Sequence, residues 1–159
     1  MDKRALTQKI VAQLGEELDL LLKAARTSHA EATHESSKAE NKYDTRGLEA
    51  AYLARGQSRQ AAESVQAIKD FEALPLRAFG PADEIDVGAL VELTGKKERS
   101  LYFIGPRAGG TEVTHDEREV LVITPLSPLG QQLVGRRQGE KVKLEIAGAR
   151  HELLISSVI

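Results

Sequence analysis

Two stretches of the chain differ in the period at which apolar residues recur. Up to about residue 73 there is no proline, and apolar or small residues return at alternating steps of three and four. The first set is Leu14, Leu18, Leu21, Ala25, Ser28 and Ala32, and the second is Ala51, Ala54, Ser58, Ala61, Val65 and Ile68. This spacing is the heptad repeat of a coiled coil. Residues 34–47 hold no such position, so the pattern predicts an antiparallel helical hairpin with its tip there.

From Gly80 onward the apolar period changes to two, which is typical of β-strands. Strands are predicted over residues 87–93, 100–104, 119–123, 141–146 and 151–158. One short helix interrupts them, because Ser127 suits an N-cap, Pro128 suits the first helical position, and Gly135 can close the helix in the left-handed conformation. Pro75 ends the second long helix. The prediction is an α+β chain with a coiled-coil arm at residues 1–74, a linker at 75–80, and a small, mostly antiparallel sheet domain at 81–159.

Composition narrows the class of protein. The chain of 159 residues has no cysteine, which excludes disulfides and thiolate zinc sites, and its aromatic content of 4% suits slim helix packing. A net charge of −2 gives no reason to expect tight binding to a nucleic-acid backbone, which requires clustered Lys and Arg. No apolar run is long enough for a signal peptide or a membrane span, so a cytoplasmic protein is expected.

Two further features carry no chemistry of their own. The four histidines have no metal-ligand spacing, and His29 and His34 are not an i, i+4 pair. The glycine-containing segment at residues 105–110 does not match a phosphate-binding loop and is predicted to be a hairpin loop.

The short helix and its flanks resemble a known family. The segments on which this resemblance rests are Ile123-Thr124-Pro125-Leu126-Ser127-Pro128-Leu129-Gly130, then Leu133-Val134-Gly135-Arg136 and Gly139-Glu140. They are similar to the C-terminal signature of the bacterial GreA/GreB transcription elongation factors, which also have an N-terminal coiled-coil arm of this size. The resemblance implies an FKBP-like C-terminal domain that docks at the rim of the RNA polymerase secondary channel. The residues implied in docking are Ser127, Pro128, Leu129 and Gly130.

The resemblance also implies a role for the arm. In Gre factors, acidic residues at the arm tip enter the channel and help hold a second Mg²⁺ and its attacking water, and the polymerase then cleaves its own backtracked transcript. Carboxylates suit this work because Mg²⁺ prefers oxygen ligands. The implied protein is a monomer with no catalytic activity and no cofactor of its own. It would share Mg²⁺ with the polymerase and meet nucleic acid only through it.

The tip matches the family pattern only in part. Glu40 and Asn41 match its Glu-Asn and Tyr43 its Tyr, with one residue missing between them, whereas Ser37 stands where the family has Asp. The nearest acids to supply the second carboxylate are Glu35 and Asp44. In this alignment Asn41 and Tyr43 support the tip, and Glu40 with Asp44 would hold the metal transiently.

A second alignment places Tyr52 on the family Tyr and makes Asp44 and Glu49 the acidic pair. The candidates for assisting cleavage are therefore Glu40, Glu35, Asp44 and Glu49. Both alignments remain open.

Three functions are compatible with this sequence. The first is stimulation of transcript cleavage in backtracked polymerase. The second is a secondary-channel regulator that modulates or inhibits polymerase without stimulating cleavage, and Ser37 favours it. The third is an FKBP-like prolyl isomerase or a coiled-coil adaptor. The scarcity of aromatic residues in the second half, where only Phe79, Tyr102 and Phe103 occur, argues against an isomerase pocket.

Overall fold

The computed structural model describes residues 1–33 and 46–159. The predicted tip residues Glu35, Glu40, Asn41, Tyr43 and Asp44 lie outside this part of the chain. The described elements, in chain order, are α1 (Lys3–Thr33), α2 (Arg46–Glu72), β1 (Leu90–Thr94), β2 (Arg99–Ile104), β3 (Glu112–His115), β4 (Arg118–Ile123), α3 (Pro128–Leu133), β5 (Lys141–Ile146) and β6 (Ala149–Val158). The predicted α+β class is confirmed, as are the small, mostly antiparallel sheet and its one short helix.

The chain forms two compact units. One comprises Met1–Val11 together with Lys69–Ile159, and the other comprises Ala12–Ile68. The first turns of α1 and the last turn of α2 therefore belong with the sheet. The predicted domain limits at residues 74 and 81 stay a prediction.

The unit formed by residues 12–68 is helical. Leu14 and Ala61 are buried there, and Leu18 and Leu21 are half-buried, in agreement with the predicted seam. Val65 departs from it because 38% of that residue is exposed, whereas Ala67 is buried. Near this end of α2, the buried position is therefore Ala67 and not the predicted Val65. No helix in the described residues is long and apolar enough to cross a membrane.

The six strands of the other unit form one sheet in the order β3-β4-β2-β1-β6-β5. Strands β2 and β4 pair in parallel, and the other neighbours are antiparallel. Because β4 lies between β2 and β3, the prediction of a hairpin loop at residues 105–110 is wrong. This segment instead carries the chain past β4 to the edge strand β3, which the sequence pattern did not predict.

Both faces of the central strand β2 are buried. Ile104 belongs to an apolar cluster that also contains Ile123 and Leu133, so α3 contributes its buried side chain to this face. Phe103 points to the opposite face by the alternation of a strand, and its ring stacks on Phe71 at the end of α2, with the centroids 6.2 Å apart. The sheet is therefore held between α3 and the end of α2.

Lys3 connects the start of α1 to the segment that precedes β1. Its ammonium group donates hydrogen bonds to the carbonyl oxygens of Arg77 and Gly88, at 2.5 and 3.0 Å, and lies 4.8 Å from the centre of the Phe79 ring. Burial, followed by the charge of Arg77, lowers the pKa of Lys3. The predicted linker at residues 75–80 is thus tied to α1 through Arg77 and Phe79.

A polar cluster on the sheet links three strands. Arg118 donates to one carboxylate oxygen of Glu92 at 2.5 Å, and the hydroxyl of Ser156 lies 3.1 Å from the other. Thr94 donates to the Ser156 hydroxyl at 2.8 Å. The Arg118 hydrogen bond is the largest cause that holds the pKa of Glu92 below its ordinary value.

We predict that Glu92→Gln destabilises the fold in a pH-dependent way. Because the folded-state pKa of Glu92 is lowered, its contribution is complete above the ordinary carboxyl pKa and is lost as the pH falls through the lowered value. At pH 7 the free energy of unfolding should fall by about 1–2 kcal/mol, as expected for a hydrogen bond to a charged group that is partly exposed to solvent. Urea denaturation of both proteins at a series of pH values measures this difference.

The control is Glu119→Gln, which removes an exposed carboxylate from β4. It should leave the free energy of unfolding almost unchanged at every pH. A destabilisation by Glu92→Gln that is equally large at pH 7 and at acidic pH would contradict the assigned role of the carboxylate charge.

Candidate functional site

The segment that leads into α3 folds through a compact set of local hydrogen bonds. The backbone N–H and the hydroxyl of Ser127 both donate to the carbonyl oxygen of Thr124, at 3.0 and 2.7 Å. The same hydroxyl accepts from the N–H of Gly130 at 3.0 Å, and Pro128 occupies the first helical position. The predicted N-cap is therefore confirmed, and the turn before the helix is fixed together with it.

Gly130 is required by a close backbone contact. A Cβ atom at this position would lie 1.8 Å from the carbonyl oxygen of Thr124 and 2.8 Å from the Ser127 hydroxyl. No side chain fits at such distances, and backbone atoms cannot move aside as the end of a flexible side chain can. The approach of the helix to the preceding turn therefore depends on glycine.

The far end of α3 is equally fixed. Gly135 has a φ of +87°, as predicted for the residue that closes the helix. Its N–H donates to the carbonyl oxygen of Ile85 at 2.9 Å, and the N–H of Ile85 donates to the carbonyl oxygen of Arg136 at 2.8 Å. This reciprocal pair pins the helix end to the segment before β1. Leu133, the last residue of α3, is fully buried in the core.

The glycine-containing segment at residues 105–110 packs behind the turn. The N–H groups of Gly105 and Gly110 donate to the carbonyl oxygens of Ile123 and Val122, both at 2.8 Å. A Cβ on Gly109 would lie 3.3 Å from the side chain of Thr124. This segment supports the turn from the sheet side.

The four predicted docking residues have different surroundings. Gly130 is buried, and Ser127 is half-buried with its hydroxyl already engaged on both sides. Pro128 is exposed, and Leu129 is half-buried against the core cluster. Ser127 and Gly130 thus shape the turn, whereas Pro128 and Leu129 offer surface to a partner.

Leu126 adds a residue that sequence reasoning did not select. Its side chain is 85% exposed, the largest exposure among the large hydrophobic residues that the structure describes. Its carbonyl oxygen accepts a hydrogen bond from the Gln131 side chain at 3.2 Å, which holds the turn in place. The feature of the sequence that could have identified Leu126 is an apolar residue between Pro125 and Ser127, in the turn between β4 and α3. We call Leu126, Pro128 and Leu129 the apolar knob.

The segment that contains the apolar knob has no charged side chain. No residue from Val120 to Gly135 is ionisable at neutral pH, in a chain that is 29% charged overall. The two arginines that follow are engaged within the molecule. Arg136 donates to the carbonyl oxygen of Gln132 at 2.7 Å, and Arg137 pairs with Glu84 at 2.9 Å. Recognition by the knob would therefore depend on apolar contact and shape.

The predicted acidic site at the arm tip falls on residues that the structure does not describe. Glu35, Glu40 and Asp44, together with Asn41 and Tyr43, lie outside the described residues. Glu49 lies in α2, but its side chain does not belong to the described part of the chain. Within residues 1–33 and 46–159, no group of three or more His, Asp or Glu side chains is arranged to hold a metal ion. The roles of the tip acids stay predictions.

Comparison with known proteins gives a consistent but loose similarity. No protein-family model matches the chain, and no curated protein matches it. Among solved structures, it is similar to GreA factor homolog 1 (Gfh1) of Thermus thermophilus, with 21% identity, coverage of 94% of each chain and a TM-score of 0.40.

Two further solved structures are similar to this chain at comparable identity and TM-score. Gfh1 of Thermus aquaticus is 24% identical over 95% of this chain and 92% of its own, with a TM-score of 0.41. The elongation factor GreA/GreB from Nitrosomonas europaea is 20% identical over 65% of this chain and 78% of its own, with a TM-score of 0.38.

We predict that Gly130→Ala disrupts the turn. The added methyl group would collide with the Thr124 carbonyl oxygen, so the free energy of unfolding should fall by about 3 kcal/mol, at the upper end for overpacking. The matched control is Gly15→Ala in α1, where a Cβ meets nothing within 4 Å. This change should raise the free energy of unfolding by about 0.5–1 kcal/mol, because alanine favours a helix interior over glycine. Urea denaturation compares the two, and equal stabilities would contradict the close contact.

Proposed function

We propose that this protein is a transcription factor of the Gre type that docks on RNA polymerase through the apolar knob and directs its helical arm into the secondary channel. The observation that supports the proposal is the fixed turn from Thr124 to Gly130, which presents Leu126 and Pro128 to solvent within a segment that has no charged side chain. The same residues carry the sequence resemblance to the GreA/GreB signature. Structure and sequence thus direct attention to one segment.

The geometry of the knob suits a docking contact. The turn is held by the Ser127 cap and by the Gly130 contact, so little conformational entropy is lost when a partner binds. An exposed leucine on a rigid turn is the kind of apolar anchor that contributes strongly when it enters a pocket on a partner. Because the segment itself has no charged side chain, its contact with a partner should depend little on salt, unlike contacts to a nucleic-acid backbone.

The long helices suit the second part of the proposal. Helix α1 has 31 residues, which corresponds to about 45 Å at about 1.5 Å per residue. In the proposal this arm carries the acidic residues of its tip. In the proposal Glu40 enters the polymerase active site, and Glu35 or Asp44 supplies the second carboxylate for a Mg²⁺ held jointly with the polymerase. In the second alignment, Asp44 and Glu49 are the pair. The polymerase then performs the cleavage, and this protein has no catalytic activity alone.

A second function shares the docking surface but not the chemistry. In this alternative the arm occupies the channel and modulates or inhibits polymerase without stimulating cleavage. The observation that favours it is Ser37, which stands where the Gre pattern has an acidic residue. A hydroxyl group is a weaker ligand for Mg²⁺ than a carboxylate, so a tip with one well-placed acid would bind the metal poorly.

We predict that the protein stimulates transcript cleavage in a stalled, backtracked complex of core RNA polymerase, and that Glu40→Ala reduces this stimulation at least roughly tenfold, the usual scale for disturbing a metal site. The shortened transcript is measured on a denaturing gel. The matched control is Glu63→Ala, which removes an exposed carboxylate from α2. It should leave the cleavage rate unchanged.

Binding is measured in the same samples by co-sedimentation with polymerase. A wild-type protein that binds without stimulating cleavage would contradict the cleavage role and support the channel-occupying alternative. A protein that does not bind polymerase would contradict both.

A further inference from the structure

A different surface of the sheet has an unpaired strand edge. Strand β6 spans ten residues, whereas its neighbour β1 spans five. The pairing between them ends at Thr94 opposite Leu154. In the described part of the chain, no strand pairs with residues 149–153 of β6 on this side, although β5 pairs with them on the other. Backbone N–H and C=O groups along this edge are therefore open to a further strand.

A groove borders this edge. It has a volume of about 890 Å³ and lies between the turn that follows β1, at residues 95–98, and the β5–β6 hairpin. The turn rests against the hairpin at one point, since a Cβ on Gly95 would lie 2.9 Å from a methyl group of Leu153. Residues 150–154 of β6 all line the groove. It is thus continuous with the unpaired edge.

The groove carries an excess of positive charge. Lys96, Lys97 and Arg150 line it, are exposed, and have no acidic partner within 4 Å among the described residues. The remaining lining cation, Lys141, pairs with Glu152 at 2.9 Å. Only Glu98 adds a further negative charge to the lining. This local excess contrasts with the net charge of −2 of the whole chain.

The groove also contains apolar surface. Ile146, which is 50% exposed, and the half-buried Leu153 line it, and the strand register places both on one face of the β5–β6 hairpin. In a strand, apolar side chains alternate with polar ones, so a ligand strand with the same alternation can place apolar groups on these two residues and acidic groups near the lysines.

We propose that the unpaired edge of β6 binds an extended acidic peptide segment of a partner protein by strand addition, independently of the proposed contact with polymerase. The backbone of the peptide pairs with residues 149–153, a length of about 17 Å at about 3.3 Å per residue. Its acidic side chains pair with Lys96, Lys97 and Arg150. Its apolar side chains contact Ile146 and Leu153.

The residues that line the groove favour an acidic peptide over a second copy of this chain and over single-stranded nucleic acid. A second copy of the chain would bring the same lysines to the edge, and the like charges would repel. Single-stranded nucleic acid binds to surfaces that combine cations with aromatic rings for base stacking, and none of the residues that line the groove is Phe, Tyr or Trp.

The test uses the full-length protein and a fluorescein-labelled peptide of alternating Glu and Val, with binding measured by fluorescence anisotropy. The peptide should bind, and Lys96→Glu with Lys97→Glu should weaken it roughly tenfold. The matched control is Lys23→Glu with Lys69→Glu, which reverses two exposed lysines that do not line the groove. This control should keep the wild-type affinity.

A second peptide tests strand addition itself. It has the same side chains but N-methyl groups on alternate residues, which remove the N–H donors on one edge, and it should bind at least roughly tenfold more weakly. Hydrogen exchange should slow at residues 149–153 only with the unmethylated peptide. Equal binding of the two peptides, equal binding by the Lys96/Lys97 variant, or displacement of the peptide by mixed-sequence single-stranded DNA would overturn the proposal.

Discussion

The contact between Gly130 and the Thr124 carbonyl oxygen is the constraint on which the proposed docking surface depends. It brings the first turn of α3 against the end of β4, at a distance that excludes any side chain at residue 130. Ser127 can then bond to both Thr124 and Gly130, and Leu126 is left at the outside of the turn. A leucine in a loose loop would lose conformational entropy on binding, whereas this one is already ordered.

The position of α3 is in turn set by the sheet. Leu133 enters the core cluster, and the hydrogen bonds between Gly135, Ile85 and Arg136 hold the end of the helix. On the opposite face of β2, the stacking of Phe71 on Phe103 joins the last turn of α2 to the same sheet. The apolar knob and the ends of the two long helices thus belong to one compact unit.

The features predicted correctly from the sequence are those with local causes. The Ser127 cap, Pro128 at the first helical position and the positive φ of Gly135 each depend on residues within one or two turns. The features that were missed depend on distant parts of the chain. Strand β3 is short, and the position of β4 between β2 and β3 is fixed by a parallel pairing that no local pattern encodes. The burial of Ala67 in place of Val65 also reflects tertiary packing.

The site shows the same division. The sequence motif selected the segment around Ser127, but it could not separate residues that shape the turn from residues that face solvent. Ser127 and Gly130 are explained by hydrogen bonding and by a steric limit within the chain. Leu126, which the motif contains without distinguishing it, is the residue with the most surface to offer. Only the three-dimensional arrangement reveals this difference.

Site-specific photo-cross-linking tests the proposed contact between the apolar knob and RNA polymerase. The cross-linking amino acid p-benzoylphenylalanine is placed at position 126, or at position 143 on the exposed part of β5 as a control, and each protein is irradiated with core RNA polymerase. The account predicts a cross-link to a polymerase subunit from position 126 and none from position 143. No cross-link from position 126, while the protein still co-sediments with polymerase, would contradict it.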